Sequence, residues 1–138
     1  MKAVLTLLLV LAVLGCSRGS PNLPGGPGSF LRLEIHKSYD GKHSATSFDV
    51  TEPSGVDAIL DVLRRGVGQE DHKCAEIGTA AITFGDGQAV TIEILPGHKS
   101  ENYEFRYQRD NYWVPRDAFL AALEKAGVDI TAIPKDCY

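Results

Sequence analysis

The side chains best suited to chemistry in this sequence are three cysteines and four histidines. The histidines stand singly in strand or turn contexts, at His36, His43, His72 and His98. His72 and Cys74 could supply two metal ligands, but a structural zinc site needs four ligands at recurrent spacing. The sequence contains no Gly-x-Ser-x-Gly elbow, no phosphate-binding Gly-Lys loop and no paired-histidine zinc motif. We therefore expect no metal, no cofactor and no catalytic residues.

Cys16 differs from the other cysteines because it ends a short apolar stretch. Lys2 provides a positive start, and residues Ala3 to Gly15 are apolar apart from Thr6. This stretch is shorter than the roughly 20 residues that a membrane-spanning helix requires. Its length and charge pattern predict a secretory signal peptide over residues 1–15, which takes no part in the fold.

The residues around Cys16 indicate a covalent modification of its thiol. The stretch "VLGC", Val13 to Cys16, resembles the lipobox of bacterial lipoproteins. The resemblance implies cleavage between Gly15 and Cys16, a diacylglyceryl group on the Cys16 sulfur and an acylated new amino terminus. Several acyl chains are needed because one alone anchors a protein only marginally. An ordinary signal peptide that is cut near Gly19 is the alternative.

The resemblance to lipoproteins also implies a location in the cell. Ser17 follows the cysteine, and in the enteric members of this family an Asp at that position retains the protein at the inner membrane. We therefore expect a cell-envelope protein that is anchored at the outer membrane and faces the periplasm. Its first partner would be the lipid membrane, reached through acylated Cys16.

Residues Ser17 to Gly28, "SRGSPNLPGGPG", are rich in Gly, Pro and Ser. This composition predicts an extended, mobile tether that buries no core. The expected organisation is a signal peptide (1–15), a lipidated cysteine with its flexible tether (16–29) and a single domain (30–138).

With Cys16 lipidated, Cys74 and Cys137 remain as an even pair. Secretion places them in an oxidising compartment, where we predict a disulfide between them. Closing a loop of about 60 residues would stabilise the domain by about 4 kcal/mol in the chain-entropy model. A redox pair is the functional alternative.

Periodicity predicts an α+β domain with the order ββα-ββββα. Alternating apolar residues indicate strands, apolar residues at helical spacing indicate helices within 52–66 and 115–127, and residues Val67 to Gly78 lack either pattern and are predicted to form a loop. Short links imply an antiparallel sheet of about five or six strands with both helices on one face. The predicted strands are residues 30–36, 45–51, 79–84, 89–95, 102–108 and 112–114.

Four aromatic residues fall close together, at Tyr103, Tyr107, Tyr112 and Trp113. Alternation places Tyr103 and Tyr107 with Phe105 beneath the helices, so we favour core packing over an aromatic patch for a peptide or glycan. The opposite sheet face carries charges that could pair across strands, at Arg32, Glu34, Glu93, Glu104 and Arg106. That face is either simply solvated or a binding surface.

The formal net charge of −4, with scattered acidic residues, argues against a nucleic-acid partner. We predict a membrane-anchored lipoprotein whose small periplasmic domain is not an enzyme but binds a protein, peptide or envelope glycan. One alternative is a small enzyme or metal-handling protein that uses His72, His98 or nearby acids. Another is an anchored inhibitor of a secreted enzyme, for which a projecting loop over Val67 to Gly78 would be the feature to look for.

Overall fold

The computed structural model describes residues 19–39, 42–71 and 74–135. These residues form a seven-stranded antiparallel sheet and two helices in the α+β class, with the strand order β2-β1-β4-β5-β6-β7-β3. The helices are α1 (Pro53–Arg64) and α2 (Arg116–Lys125), and a 3₁₀ turn follows at Ile130–Ala132. The strands are β1 (Gly28–Tyr39), β2 (Lys42–Val50), β3 (Val67–Gln69), β4 (Gly78–Phe84), β5 (Ala89–Pro96), β6 (Asn102–Tyr107) and β7 (Asp110–Pro115).

The predicted class and antiparallel sheet are confirmed, whereas the strand count and order need correction. The first three residues of the expected loop, Val67–Gln69, form β3, which pairs with Asn111–Trp113 of β7. The chain order is therefore ββαβββββα, with seven strands rather than five or six. A three-residue strand that contains Gly68 is too short to show alternation, so its partner strand rather than its own pattern fixes it.

The core lies between the sheet and both helices. Leu31, Leu33 and Ile35 are buried on the helix-facing side of β1, and α1 contributes Val56, Ile59, Leu60 and Leu63. Tyr103 meets Phe119 of α2 edge to face at 5.7 Å between ring centroids. Phe105 stacks on Tyr112 at 5.3 Å. The prediction that Tyr103, Phe105 and Tyr107 belong to the core is confirmed.

The segment that precedes β1 is packed onto the domain, in contrast to the expected mobile tether. Leu23 is buried in the core cluster, and Pro21 is also buried. The Arg64 guanidinium donates hydrogen bonds to the carbonyl oxygens of Pro24 at 2.8 Å and Gly26 at 2.6 Å. Composition predicted a tether because Gly and Pro dominate it. Two side chains dock the segment: its own Leu23 enters the core, and Arg64 of α1 binds its carbonyl oxygens. Proline also lowers the conformational entropy that the segment loses on ordering.

The other end of the described chain is docked in a similar way. The Tyr103 hydroxyl donates a 2.9 Å hydrogen bond to the carbonyl oxygen of Pro134. Arg116 donates to the carbonyl oxygen of Lys135, and its guanidinium lies 4.8 Å from the Tyr103 ring centroid. These contacts hold the residues after the 3₁₀ turn against the start of α2 and β6.

The connections between successive strands alternate between two ends of the sheet. The end that carries the β6–β7 turn, Gln108 and Arg109, is called the turn end. The end that carries the loop between β5 and β6, residues 97–101, is called the loop end. Beyond Ile35, which pairs with Gly78, β1 pairs only with β2. This hairpin therefore extends past the sheet at the loop end.

No helix in the described ranges has the length and apolar character to cross a membrane. The predicted signal peptide, the cleavage site at Gly15 and Cys16, and Cys137 all lie outside the described residues. Anchoring therefore remains a prediction.

Candidate functional site

The sheet face away from the helices carries charges that pair with one another. Arg32 and Asp49 lie directly opposite in the β1–β2 register. Two hydrogen bonds of 2.7 and 2.8 Å join them. The bond from Arg32 lowers the pKa of Asp49, and the same contact raises the pKa of Arg32. Both side chains are about half exposed, so the pair adds little stability.

Arg106 binds the segment between β3 and β4 to this face. Its guanidinium donates hydrogen bonds to Glu93 and Asp71, and its Nε donates to the Asn111 side chain. The hydrogen bond to Glu93 is the main cause of its raised pKa. The Asn111 amide also donates to Asp71 at 2.8 Å. In residues 70–71 and 74–77, the segment is bound to the sheet at Asp71, and Ile77 is buried.

Toward the loop end, one row of this face is unexpectedly buried. The register places Leu95, Glu104, Trp113 and Val67 side by side across four strands. Leu95 and Glu104 are 0% and 1% exposed. One carboxylate oxygen of Glu104, Oε1, accepts hydrogen bonds from the His98 backbone N–H at 2.9 Å and from His98 Nδ1 at 2.7 Å. The loop between β5 and β6 thus folds over the sheet and covers Leu95 and Glu104, whereas Val67 at the other end of the row stays exposed.

An open cleft of about 560 Å³ lies beside the covered row. Its walls carry three carboxylates, from Glu101, Glu104 and Asp117, against one ammonium from Lys99. The rest of the lining is Gln69, His98, Asn102, Trp113 and Pro115. We call this space the acidic cleft.

Trp113 and Pro115 also line a second, smaller cavity of about 240 Å³. Its other walls are Val62 and Arg65 of α1, Val67 of β3 and Ala118 of α2. Val67 is 43% exposed and is the only exposed large hydrophobic side chain among the described residues. We call this cavity the apolar recess, and the recess together with the acidic cleft the Trp113 surface.

A third cavity, of about 580 Å³, lies at the turn end. Gly19 and Ser20 line it together with residues 68–71 and 109–112. The first described residues of the chain therefore lie beside β3 and the β6–β7 turn.

Of the four histidines, His36 and His98 have described side chains, and these contact different carboxylates. His36 contacts Glu34 at 3.1 Å on the paired sheet face, and His98 contacts Glu104 in the acidic cleft. The side chain of His43 and the whole of His72 lie outside the description. Within the described residues, no three His, Cys, Asp or Glu side chains are grouped so as to hold a metal. Cys74 is half-buried between β3 and β4, and its pairing with Cys137 remains a prediction.

The sequence placed Glu104 on a face that was expected to be either solvated or a binding surface, and it did not single out Trp113 as a surface group. One signal was available: Ile94, Leu95 and Pro96 interrupt the alternation of β5 with three consecutive apolar residues. An apolar residue at a position that should face solvent indicates that something covers the sheet there.

Tyr112 provides a pH-dependent readout of the packing beside the turn end. Burial, and secondarily the negative charge of Asp110, raises the pKa of its phenol above 10. Because the folded-state pKa exceeds the unfolded one, the stabilisation is complete below about pH 10 and declines as the pH rises further. We expect Tyr112→Phe to unfold in urea like the wild type at about pH 7 but to lose less stability at about pH 11. Equal losses at the higher pH would contradict this assignment.

Comparison with family models, curated proteins and solved structures found no match to this chain.

Proposed function

We propose that this chain is a lipid-anchored envelope protein whose domain is not an enzyme and binds a partner protein through the Trp113 surface. The segment it would bind carries a basic side chain next to an apolar one. The observation that carries this proposal is the position of Trp113, which forms the wall between the acidic cleft and the apolar recess.

The charges of the acidic cleft favour a positively charged ligand. Three carboxylates against one ammonium attract a cation, and the Trp113 indole can hold a lysine or arginine head group by a cation–π contact. Tryptophan is also the residue type most enriched among those that dominate binding energy at protein interfaces. The adjoining recess, with exposed Val67, accepts an apolar side chain of the same segment.

The remaining charges of the sheet face support binding rather than chemistry there. Ion pairs join Arg32 to Asp49 and Arg106 to Glu93. These side chains are therefore engaged with one another rather than available as catalytic acids or bases. The lipid anchor itself is supported by the residues Val13 to Cys16 and by the short apolar stretch before them.

An acid–base enzyme is the second candidate, because one observation favours it. The contact of 2.7 Å between His98 Nδ1 and Glu104 Oε1 is typical of a histidine oriented by a carboxylate. The lining of the acidic cleft holds no serine, threonine or cysteine nucleophile within the described residues. Binding is therefore the function that the geometry supports better.

The chain contains one tryptophan, so its fluorescence reports directly on this surface. We expect the acetylated, amidated peptide Lys-Leu-Lys to change Trp113 emission saturably, and Glu-Leu-Glu to leave it unchanged. Glu101→Gln and Asp117→Asn should each lower the affinity for the basic peptide by up to about fivefold, since an exposed ion pair contributes at most about 1 kcal/mol.

The matched control is Asp86→Asn, which removes an equal charge from an exposed position in the turn between β4 and β5, at the turn end. It should bind the basic peptide like the wild type. Equal responses to the two peptides, or no response to either, would overturn the assignment of this surface. His98→Gln should preserve peptide binding, whereas an acid–base enzyme would lose its activity in this variant.

A further inference from the structure

We infer that the segment Pro21–Gly28 is a docked strap that leaves only a short leash to the membrane. The anchored protein then holds its turn end toward the bilayer and presents the Trp113 surface away from it. This inference rests on the proposed lipid anchor and adds to it an orientation of the domain relative to the bilayer.

The strap is fixed at several points along its length. Leu23 is 7% exposed within the core cluster. Arg64 holds two of its carbonyl oxygens, at Pro24 and Gly26. At its end, the Gly28 N–H donates a 2.8 Å hydrogen bond to Asp57 Oδ1. A Cβ at Gly28 would lie 2.3 Å from a Val56 side-chain carbon, so the strap also lies close against α1.

Docking of the strap sets the length of the leash. Five residue steps separate Cys16 from Pro21. At about 3.3–3.6 Å for each step, the leash spans about 17 Å at full extension. A tether that stayed free as far as residue 29 would span about 45 Å by the same measure.

The point where the leash meets the domain determines which end faces the bilayer. Gly19 and Ser20 line the turn-end cavity together with Arg109, Asp110 and residues of β3. The loop that carries His98 and Lys99 lies at the opposite end of β6, a strand of six residues. At about 3.3 Å per residue, the two ends of this strand are about 17 Å apart. Gln69 lines both cavities, so the acidic cleft begins beside the turn-end cavity and extends from there to the loop end, the end farther from the anchor.

Charge indicates that the leash, rather than adhesion to lipid, maintains this orientation. Glu70, Asp71 and Asp110 outnumber Arg109 around the turn-end cavity. Three carboxylates against one guanidinium give no attraction to anionic headgroups. A longer leash should therefore release the orientation completely.

The experiment uses the full-length acylated protein, reconstituted in phosphatidylglycerol–phosphatidylethanolamine vesicles that contain a fluorescence-quenching lipid. A fluorophore is attached at Asp110→Cys, at the turn end, or at Lys99→Cys, at the loop end; both positions are exposed. We expect quenching by the lipid to remove most of the fluorescence at position 110 and little of it at position 99.

A matched variant carries twenty Gly and Ser residues between Ser17 and Arg18. Such a chain has a root-mean-square length of about 27 Å, so the domain can turn freely and the difference between the two positions should disappear. Fatty-acid labelling, compared with Cys16→Ala, is measured on the same samples to test the anchor itself.

The outcomes separate the anchor from the orientation. Labelling with equal quenching at both positions, or a difference that survives the insertion, overturns the orientation and leaves the anchor standing. Absence of labelling at Cys16 overturns the proposed anchor and the orientation with it.

Discussion

Replacing Tyr103 with alanine should lower the free energy of unfolding by about 3–5 kcal/mol, the range for removal of a large buried aromatic side chain. Tyr103 is 0% exposed and lies at the junction of β6, α2 and the tail, which we define as residues 130–135. Its ring meets Phe119 edge to face, and its hydroxyl holds the carbonyl oxygen of Pro134. The substitution therefore opens a cavity in the core and releases the docked tail at the same time.

The variant Tyr103→Phe separates these two contributions. It keeps the ring against Phe119 and beneath Arg116 but removes the hydroxyl, so we expect a loss of about 1 kcal/mol. Hydrogen exchange should show faster exchange in residues 130–135 for both variants, and faster exchange in α2 for the alanine variant alone. Urea unfolding measures the free energies. An alanine variant that loses no more than the phenylalanine variant would contradict the role given to the ring.

The long strands could be predicted from the sequence because each buries one face. The alternation of Leu31, Leu33 and Ile35 located β1, and the apolar spacing of Val56, Ile59 and Leu60 located α1. Each of these patterns lies within one segment, so it can be recognised without knowing which element packs against that segment. Boundaries were less accurate: β1 extends to Tyr39 because β2 continues to pair with it beyond the last apolar residue.

The features that escaped prediction depend on contacts between distant residues. β3 exists because β7 offers it a pairing edge, and the strap is docked because Arg64 reaches its carbonyl oxygens across 38 and 40 sequence positions. No composition rule contains that information.

The candidate site escaped prediction for the same reason. Trp113 was expected only as one member of an aromatic group. Its importance comes from neighbours in three other segments: His98 in the loop, Val67 in β3 and Asp117 in α2. Glu104 is buried because the loop between β5 and β6 folds over it, and only the interrupted alternation at Leu95 indicated such a cover.

Removing the predicted disulfide should cost about as much stability as removing the Tyr103 ring. One described neighbour of each cysteine lies at the loop end of the sheet: the Ile77 N–H donates to the carbonyl oxygen of Ile94, and Pro134 is held by Tyr103. This arrangement favours a bond between Cys74 and Cys137. Closing a loop of about 60 residues restricts the unfolded chain and is expected to contribute about 4 kcal/mol.

The measurement compares the wild type, oxidised and reduced, with Cys74→Ser, Cys137→Ser and the double variant. Reduction should lower the urea midpoint of the wild type to that of the variants and leave theirs unchanged. Intact mass with and without alkylation tests the bond directly, and two free thiols in the secreted protein would exclude it. A reductant effect on the variants would point instead to a change unrelated to this pair.

Both the disulfide and Tyr103 would hold the same tail, so their effects should not add. Once the bond is removed, residues 130–135 can leave the sheet more easily, and the hydroxyl of Tyr103 has less to hold. We therefore expect Tyr103→Phe to cost less in the Cys74→Ser, Cys137→Ser background than in the wild type, with a coupling of about 0.5 kcal/mol or more, as for residues in one contact network. Strict additivity would show that Pro134 stays docked without the disulfide, so that Tyr103 and Arg116 alone fix the tail.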